Sequence, residues 1–185
     1  MNILIKNGHV IDPANEYNDV LDVYISNGKI QSVGKQPVGF DAQQTIDATN
    51  QLVMPGFIDL NASLREPGYE HKAVIASETK AAVSAGYTSV CCLPDTQPVL
   101  DSASVVQLIL DRAESADYAK VLPLGALTVA LEGHTLSEMY ALKKAGCVAL
   151  SQAPNNNINA QVLRRAFQYA STPVPYTPLR AHETV

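Results

Sequence analysis

Four polar side chains alternate along one short stretch: Asp59, Asn61, Ser63 and Arg65. Residues two apart on a strand point to the same face. A strand here therefore aims a carboxylate, an amide and a hydroxyl at one spot. Zinc sites are built from thiolate, imidazole and carboxylate, so Asn61 and Ser63 are poor ligands, and Asp59 alone, without imidazoles, holds zinc poorly. The group is better suited to hydrogen bonding. Asp59 is expected to accept from neighbouring backbone or from Ser63, with water and neighbours filling the rest of a polar pocket. Arg65 has the planar fork that grips a carboxylate or phosphate. Its structural alternative, an ion pair with Glu66, Asp95 or Asp59, is the favoured expectation.

Other candidate residues carry less. His71 stands between Glu70 and Lys72 at the start of an expected helix, which makes it a solvated side chain. His134 falls in a loop and His9 in a segment of β character. His182, beside Glu183, is the best remaining candidate for a site. The triplet Asn155, Asn156 and Asn157 reads as a turn, since Asn tolerates left-handed backbone. Cys91, Cys92 and Cys147 lie in apolar runs without C-x₂-C spacing, so buried, reduced thiols are expected. No G-x-G-x-x-G, Walker or G-x-S-x-G motif is present. A formal charge of −5 with no basic run speaks against a nucleic-acid surface. No apolar stretch approaches the roughly 20 residues of a membrane span. The N-terminus lacks a signal-peptide core, which makes the cytoplasm the expected location.

The elements that must position these residues change character along the chain. Residues 1–53 read as a small β domain. Ile3, Ile5 and the run Val20 to Ile25 favour strands, Gln44 to Val53 forms another, and Asn7-Gly8 and Asn27-Gly28 are turn signals between them. From Met54-Pro55-Gly56 strands alternate with helices, over residues 54–172. Phe57 to Leu60 is expected as a buried strand, and residues 70–85 as a helix stopped by Gly86. Thr88 to Leu93 reads as a strand covered on both faces. Ser102 caps the next helix, whose stripe includes Val105, Val106, Ile109, Leu110 and Ala113. Val121 to Leu127 is a strand. Thr135 and Glu138 form a T-x-x-E capping box for a helix ended by Gly146. Cys147 to Leu150 and a helix marked by Val162, Leu163, Ala166, Phe167 and Ala170 follow. Residues 173–185 are an irregular, proline-containing tail. Four successive βα units imply an α/β fold with a parallel sheet, either doubly wound or part of a (β/α)₈ barrel. A full barrel takes about 250 residues, so about the first half of one fits here. Its open strand edges would need covering by an identical chain or a different partner, hence a homo- or hetero-oligomer.

The motifs resemble those of dihydroorotase, an amidohydrolase-superfamily enzyme with a parallel (β/α) barrel. VMPGFIDLNASLREPG is similar to that family's metal-binding strand, normally PGxxDxHxHxREPG. EHKAVIASETKAAVSAGYTSVCCLPDTQP resembles its first helix, second strand and PNT loop, and LGALTVALEG its third strand. The resemblance implies a metal-dependent hydrolase that reversibly closes carbamoyl aspartate into dihydroorotate, with zinc activating water and an aspartate shuttling the proton.

Placed residue by residue, the resemblance also shows what differs. The family's two His ligands match Asn61 and Ser63. Its carboxylate-gripping arginine matches Arg65, and the asparagine that assists it matches Asp95, whose charge would repel an anionic substrate. The acidic ligand stretch SDDG matches Ser151, Gln152, Ala153 and Pro154. These losses together imply a pseudoenzyme of pyrimidine biosynthesis with no catalytic residues and no metal. The family's non-catalytic members assemble with aspartate transcarbamoylase, which becomes the expected partner. Two alternatives stand beside this. One is an active, zinc-dependent dihydroorotase with unusual or C-terminal ligands. The other is a carboxylate-binding module built on Arg65.

Overall fold

The computed structural model describes residues 1–153 and 158–170. The Asn155–Asn157 turn, Pro154 and the tail with His182 and Glu183 lie outside the described residues. Two compact units are present, Met1–Pro55 and a second that starts at Gly56.

In the first unit, β1 (Asn2–Asp12) pairs antiparallel with β2 (Tyr17–Ser26), and β2 pairs antiparallel with β3 (Lys29–Val33). Two short strands, β4 (Gln44–Asp47) and β5 (Leu52–Val53), join β1 in parallel. The segment expected as one strand over 44–53 is thus two, separated by a turn. Asn27-Gly28 turns the chain between β2 and β3. Asn7-Gly8 does not turn it. These residues lie inside β1, where the register slips between Ile5 and Gly8 and Asn7 takes a left-handed φ of 60°. A dipeptide that suits a tight turn also suits a bulge, because both need positive φ. Here the Asn7 N–H is satisfied by Asp22 Oδ1 at 2.9 Å.

The second unit is a four-stranded parallel sheet in the order β6 (Phe57–Ala62), β7 (Tyr87–Cys92), β8 (Lys120–Ala126), β9 (Ala149–Ser151). Helices α1 (Ile75–Ser84), α2 (Ala103–Ala116), α3 (Met139–Ala145) and α4 (Ala160–Ala170) follow the strands in turn. Alternation along β7 divides the core. Val90 and Cys92 enter the large cluster with Ile75, Val106, Ile109 and Leu142, whereas Cys91 and Leu93 join Leu124 and Ala149 in a smaller one. Gly86 and Gly146 sit just past α1 and α3 at φ +87° and +119°, as helix-ending glycines do.

Four local expectations are corrected. The helix expected over 70–85 begins at Ile75, because turns occupy the preceding residues: Tyr69 N–H donates to Arg65 O and Lys72 N–H to Tyr69 O, both at 2.8 Å. Its first turn is satisfied by Ile75 N–H donating to Glu66 Oε2 at 2.8 Å. Thr135 and Glu138 form no capping box. Thr135 instead accepts the Val129 N–H through its carbonyl, and α3 starts beyond Glu138 without a side-chain cap. Ser102 occupies the N-cap of α2, yet its hydroxyl lies 3.2 Å from Ser104 Oγ and makes no cap bond. The expected buried strand at Phe57 to Leu60 is also exposed, with Phe57, Ile58 and Leu60 at 50, 56 and 57%. Among the described residues, β6 ends the sheet and has only β7 beside it.

Candidate functional site

Two places at the C-terminal ends of the strands hold the candidate residues. The first is built by the loops that follow β6 and β7. Asp59 Oδ1 accepts the Asn61 N–H at 2.9 Å, so this carboxylate closes a local turn of its own strand. Asn61 is exposed. Ser63, just past the end of β6, donates from Oγ to Asp95 Oδ2 at 2.8 Å. Arg65 adopts φ +67° and brings its Nη1 to 3.7 Å from the same Asp95 oxygen. The ion pair is long and its guanidinium side chain is 42% exposed, so its contribution is below about 1 kcal/mol.

The two loops are clasped through backbone. Leu93 N–H donates to Ala62 O and Gln97 N–H to Pro67 O, each at 2.9 Å. Gly68 makes the clasp possible: a Cβ there would stand 2.3 Å from Gln97 O, and its φ is +99°. Glu66 completes the arrangement by holding the start of α1 and facing Arg112 Nε at 3.6 Å.

The second place lies between β8 and β9. Gln152 is buried at 8% exposure, and both ends of its amide are used. Nε2 donates to Leu131 O at 2.9 Å, and Oε1 accepts from Thr128 Oγ1 at 2.9 Å. Thr128, fully buried, accepts in turn from Gly133 N–H at 3.0 Å. The loop so held contains Ala130 at φ 52° and Leu131 at φ 59°. Two non-glycine residues in left-handed backbone cost roughly 1–3 kcal/mol each and persist only where surrounding contacts enforce them. Asp101 helps by accepting the Ala130 N–H at 2.9 Å.

The structure therefore brings Ser63, Arg65 and Asp95 together, with Asp59 and Asn61 on the strand before them, and places Gln152 in a separate buried network. Thr128, Gly133 and Asp101 do not stand out in the sequence. A threonine inside the apolar run LGALTVAL is the one hint, since a hydroxyl buried there must find a partner. His71 and His134 are exposed, and His9 Nε2 lies 2.8 Å from Asn18 Oδ1 in the first unit.

The residues at these positions do not fit a resident zinc ion. An amide, a hydroxyl already given to Asp95, and an amide spent on both ends offer no thiolate or imidazole. Among the described residues, no three His, Cys, Asp or Glu side chains converge as ligands. The thiols do not substitute. Burial pushes Cys92 and Cys147 up to about 12 and also raises Cys91, so all three stay protonated at neutral pH. They are free and buried, as the apolar runs around them imply.

Residues 50–169 match the family model described as dihydro-orotase-like. A dihydroorotase-like protein of Pseudomonas aeruginosa is 48% identical over 93% of this chain and 41% of its own length. A dihydroorotase of Trichlorobacter lovleyi is 43% identical over 92% of this chain and 40% of its own. The chain thus spans about two-fifths of the length of the curated relatives it matches. Among solved structures, the L-hydantoinase (dihydropyrimidinase) of Arthrobacter aurescens superposes with a TM-score of 0.73 at 18% identity, over 90% of this chain and 38% of that one. A D-hydantoinase of a Thermus species gives 0.64 at 21% identity, over 91% and 37%. The four-stranded parallel sheet is accordingly a half-barrel of the amidohydrolase type. With a family model over most of its length and curated relatives above 40% identity across nine-tenths of it, the chain belongs to the dihydroorotase-like family of the amidohydrolase superfamily.

Proposed function

We propose that this chain is a non-catalytic dihydroorotase homologue that serves pyrimidine biosynthesis as a cytoplasmic structural partner of aspartate transcarbamoylase. The observation that supports the reading most is the double use of Gln152. The position matched to an acidic metal ligand carries a neutral amide, and both of its ends hold backbone and hydroxyl groups of the chain itself. Asp95 adds to it. A carboxylate stands where the family places an asparagine for substrate binding, and it already faces Arg65. An incoming carboxylate would meet like charge there, which also weighs against a carboxylate-binding module centred on Arg65.

The test has two arms. Metal analysis of the purified chain is expected to find no stoichiometric zinc, and an assay with carbamoyl aspartate no ring closure. Co-expression with aspartate transcarbamoylase is expected to yield a joint complex on sizing. Stoichiometric zinc with turnover would establish the active-enzyme alternative instead, and separate elution of the two proteins would remove the partner from the proposal.

A further inference from the structure

We infer that Gln152 is a conformational latch, holding the loop 128–133 in a strained shape through one amide that donates on one side and accepts on the other. The inference stands on this network alone and is independent of the partner proposed above. The loop leaves the end of β8 through Thr128, passes Ala130 and Leu131 in left-handed backbone, and returns to bridge Thr128 with Leu136. Left-handed alanine and leucine have no polar side-chain atom to bond their own backbone, so the shape is held by surrounding contacts: Leu131 buries its side chain, at 6% exposure, and hydrogen bonds hold the backbone. Two contacts from beyond the loop's own stretch reach its strained residues: Asp101 accepts from Ala130 N–H, and Gln152 donates to Leu131 O. Asp101 is half-buried and Gln152 buried, so the Gln152 bond is the better shielded from competing water.

The chemistry of the latch is specific. Leu131 O can only accept, and Thr128 Oγ1, already accepting from Gly133 N–H, gives its own proton to Gln152 Oε1. The residue at 152 must therefore donate on one side and accept on the other. A glutamate of nearly the same shape keeps both bonds while it is protonated, and only its ionised form turns a charged oxygen towards a carbonyl oxygen. A methionine of similar volume offers neither bond and leaves Leu131 O and the Thr128 hydroxyl buried without partners.

Hydrogen exchange followed by mass spectrometry on the full chain tests the latch. In Gln152→Met, amides of residues 128–135 are expected to exchange at least about tenfold faster, while those of α2 keep their parental rates, as for local opening. Parental protection of 128–135 in this variant would overturn the inference. Should it raise exchange across α2 as well, Thr128→Val and Thr128→Ser decide. Faster loop exchange in the valine variant, restored by serine, sustains the latch. Unchanged loop protection in Thr128→Val refutes it.

Discussion

At one end of the half-barrel sheet, Phe57, Ile58 and Leu60 of β6 are each at least half exposed; at β8, Pro123 to Ala126 are all buried. The two strands have similar apolar content but different surroundings. β8 lies between β7 and β9 with α2 and α3 over it, and β6, among the described residues, has a neighbour strand on one side only. Polar residues follow the same division. Asn61 on β6 is left to solvent, while Gln152 past β9 is buried and fully bonded. The lesson is that a polar side chain near the C-terminal end of a strand has two structural outcomes. On an open strand it needs no partner. In a sealed one it must be built into the packing, because an unpaired buried amide costs about 1–3 kcal/mol.

Thiol chemistry gives the largest contrast. Cys92 and Cys147 on the sealed side, with values near 12, are expected to label with a disulfide reagent at pH 8 about a thousandfold more slowly than a free thiol. A thiol introduced at the open end by Leu60→Cys is expected to label at nearly the free rate. Comparable rates for the three would erase the distinction. The same thiols set an alkaline limit. Their folded values lie above the ordinary value of 9, so their contribution to stability is present below pH 9 and is lost as pH rises toward about 12. Thermal melts between pH 8 and 11 check the sign: Tm should fall, and should fall less in Cys147→Ala.

Packing gives the next contrast. Leu142 is fully buried and within 2.9 Å of where a Cβ on Gly125 would sit, so this part of β8 has no slack. Leu142→Ala is expected to cost about 2–5 kcal/mol in urea unfolding. Leu60→Ala, at 57% exposure, should stay within about 0.5 kcal/mol. A Leu60 variant as costly as the Leu142 one would mean that β6 is covered in solution by something that buries it.

These contrasts also mark what could be read from residues alone. Gly86 and Gly146 stop their helices where expected, because a helix stop depends on neighbours close in sequence; the strand expected over Thr88 to Leu93 is buried from Val90 onward, but Thr88 is exposed. The exposure of β6 is not written in Phe57 to Leu60, since it depends on which strands flank them. The start of α1 escaped because its first N–H is taken by Glu66, nine residues away. The Thr135 and Glu138 box failed because a tertiary loop took the Thr135 carbonyl first. At the site, Asp95 was one of three acidic partners open to Arg65, and geometry chose it. The Gln152 network was illegible, since it joins groups 21 and 24 residues apart whose types look unremarkable.

The smallest effect belongs to the open side, and its order is informative. Ser63 makes a 2.8 Å bond to a carboxylate that is only 15% exposed, whereas Arg65 faces the same oxygen at 3.7 Å with a guanidinium side chain 42% exposed. A short bond to a mostly buried charge outweighs a long solvated ion pair. Ser63→Ala should therefore cost about 1 kcal/mol in urea unfolding, and Arg65→Gln less than about 0.5. The double variant measures their coupling through Asp95, which is expected to be small because water can replace the guanidinium. The reverse order, with Arg65→Gln the costlier change, would mean that the ion pair rather than the hydroxyl organises these loops. Arg65 would then be committed to Asp95 more firmly than its exposure implies, leaving still less of it for any incoming anion.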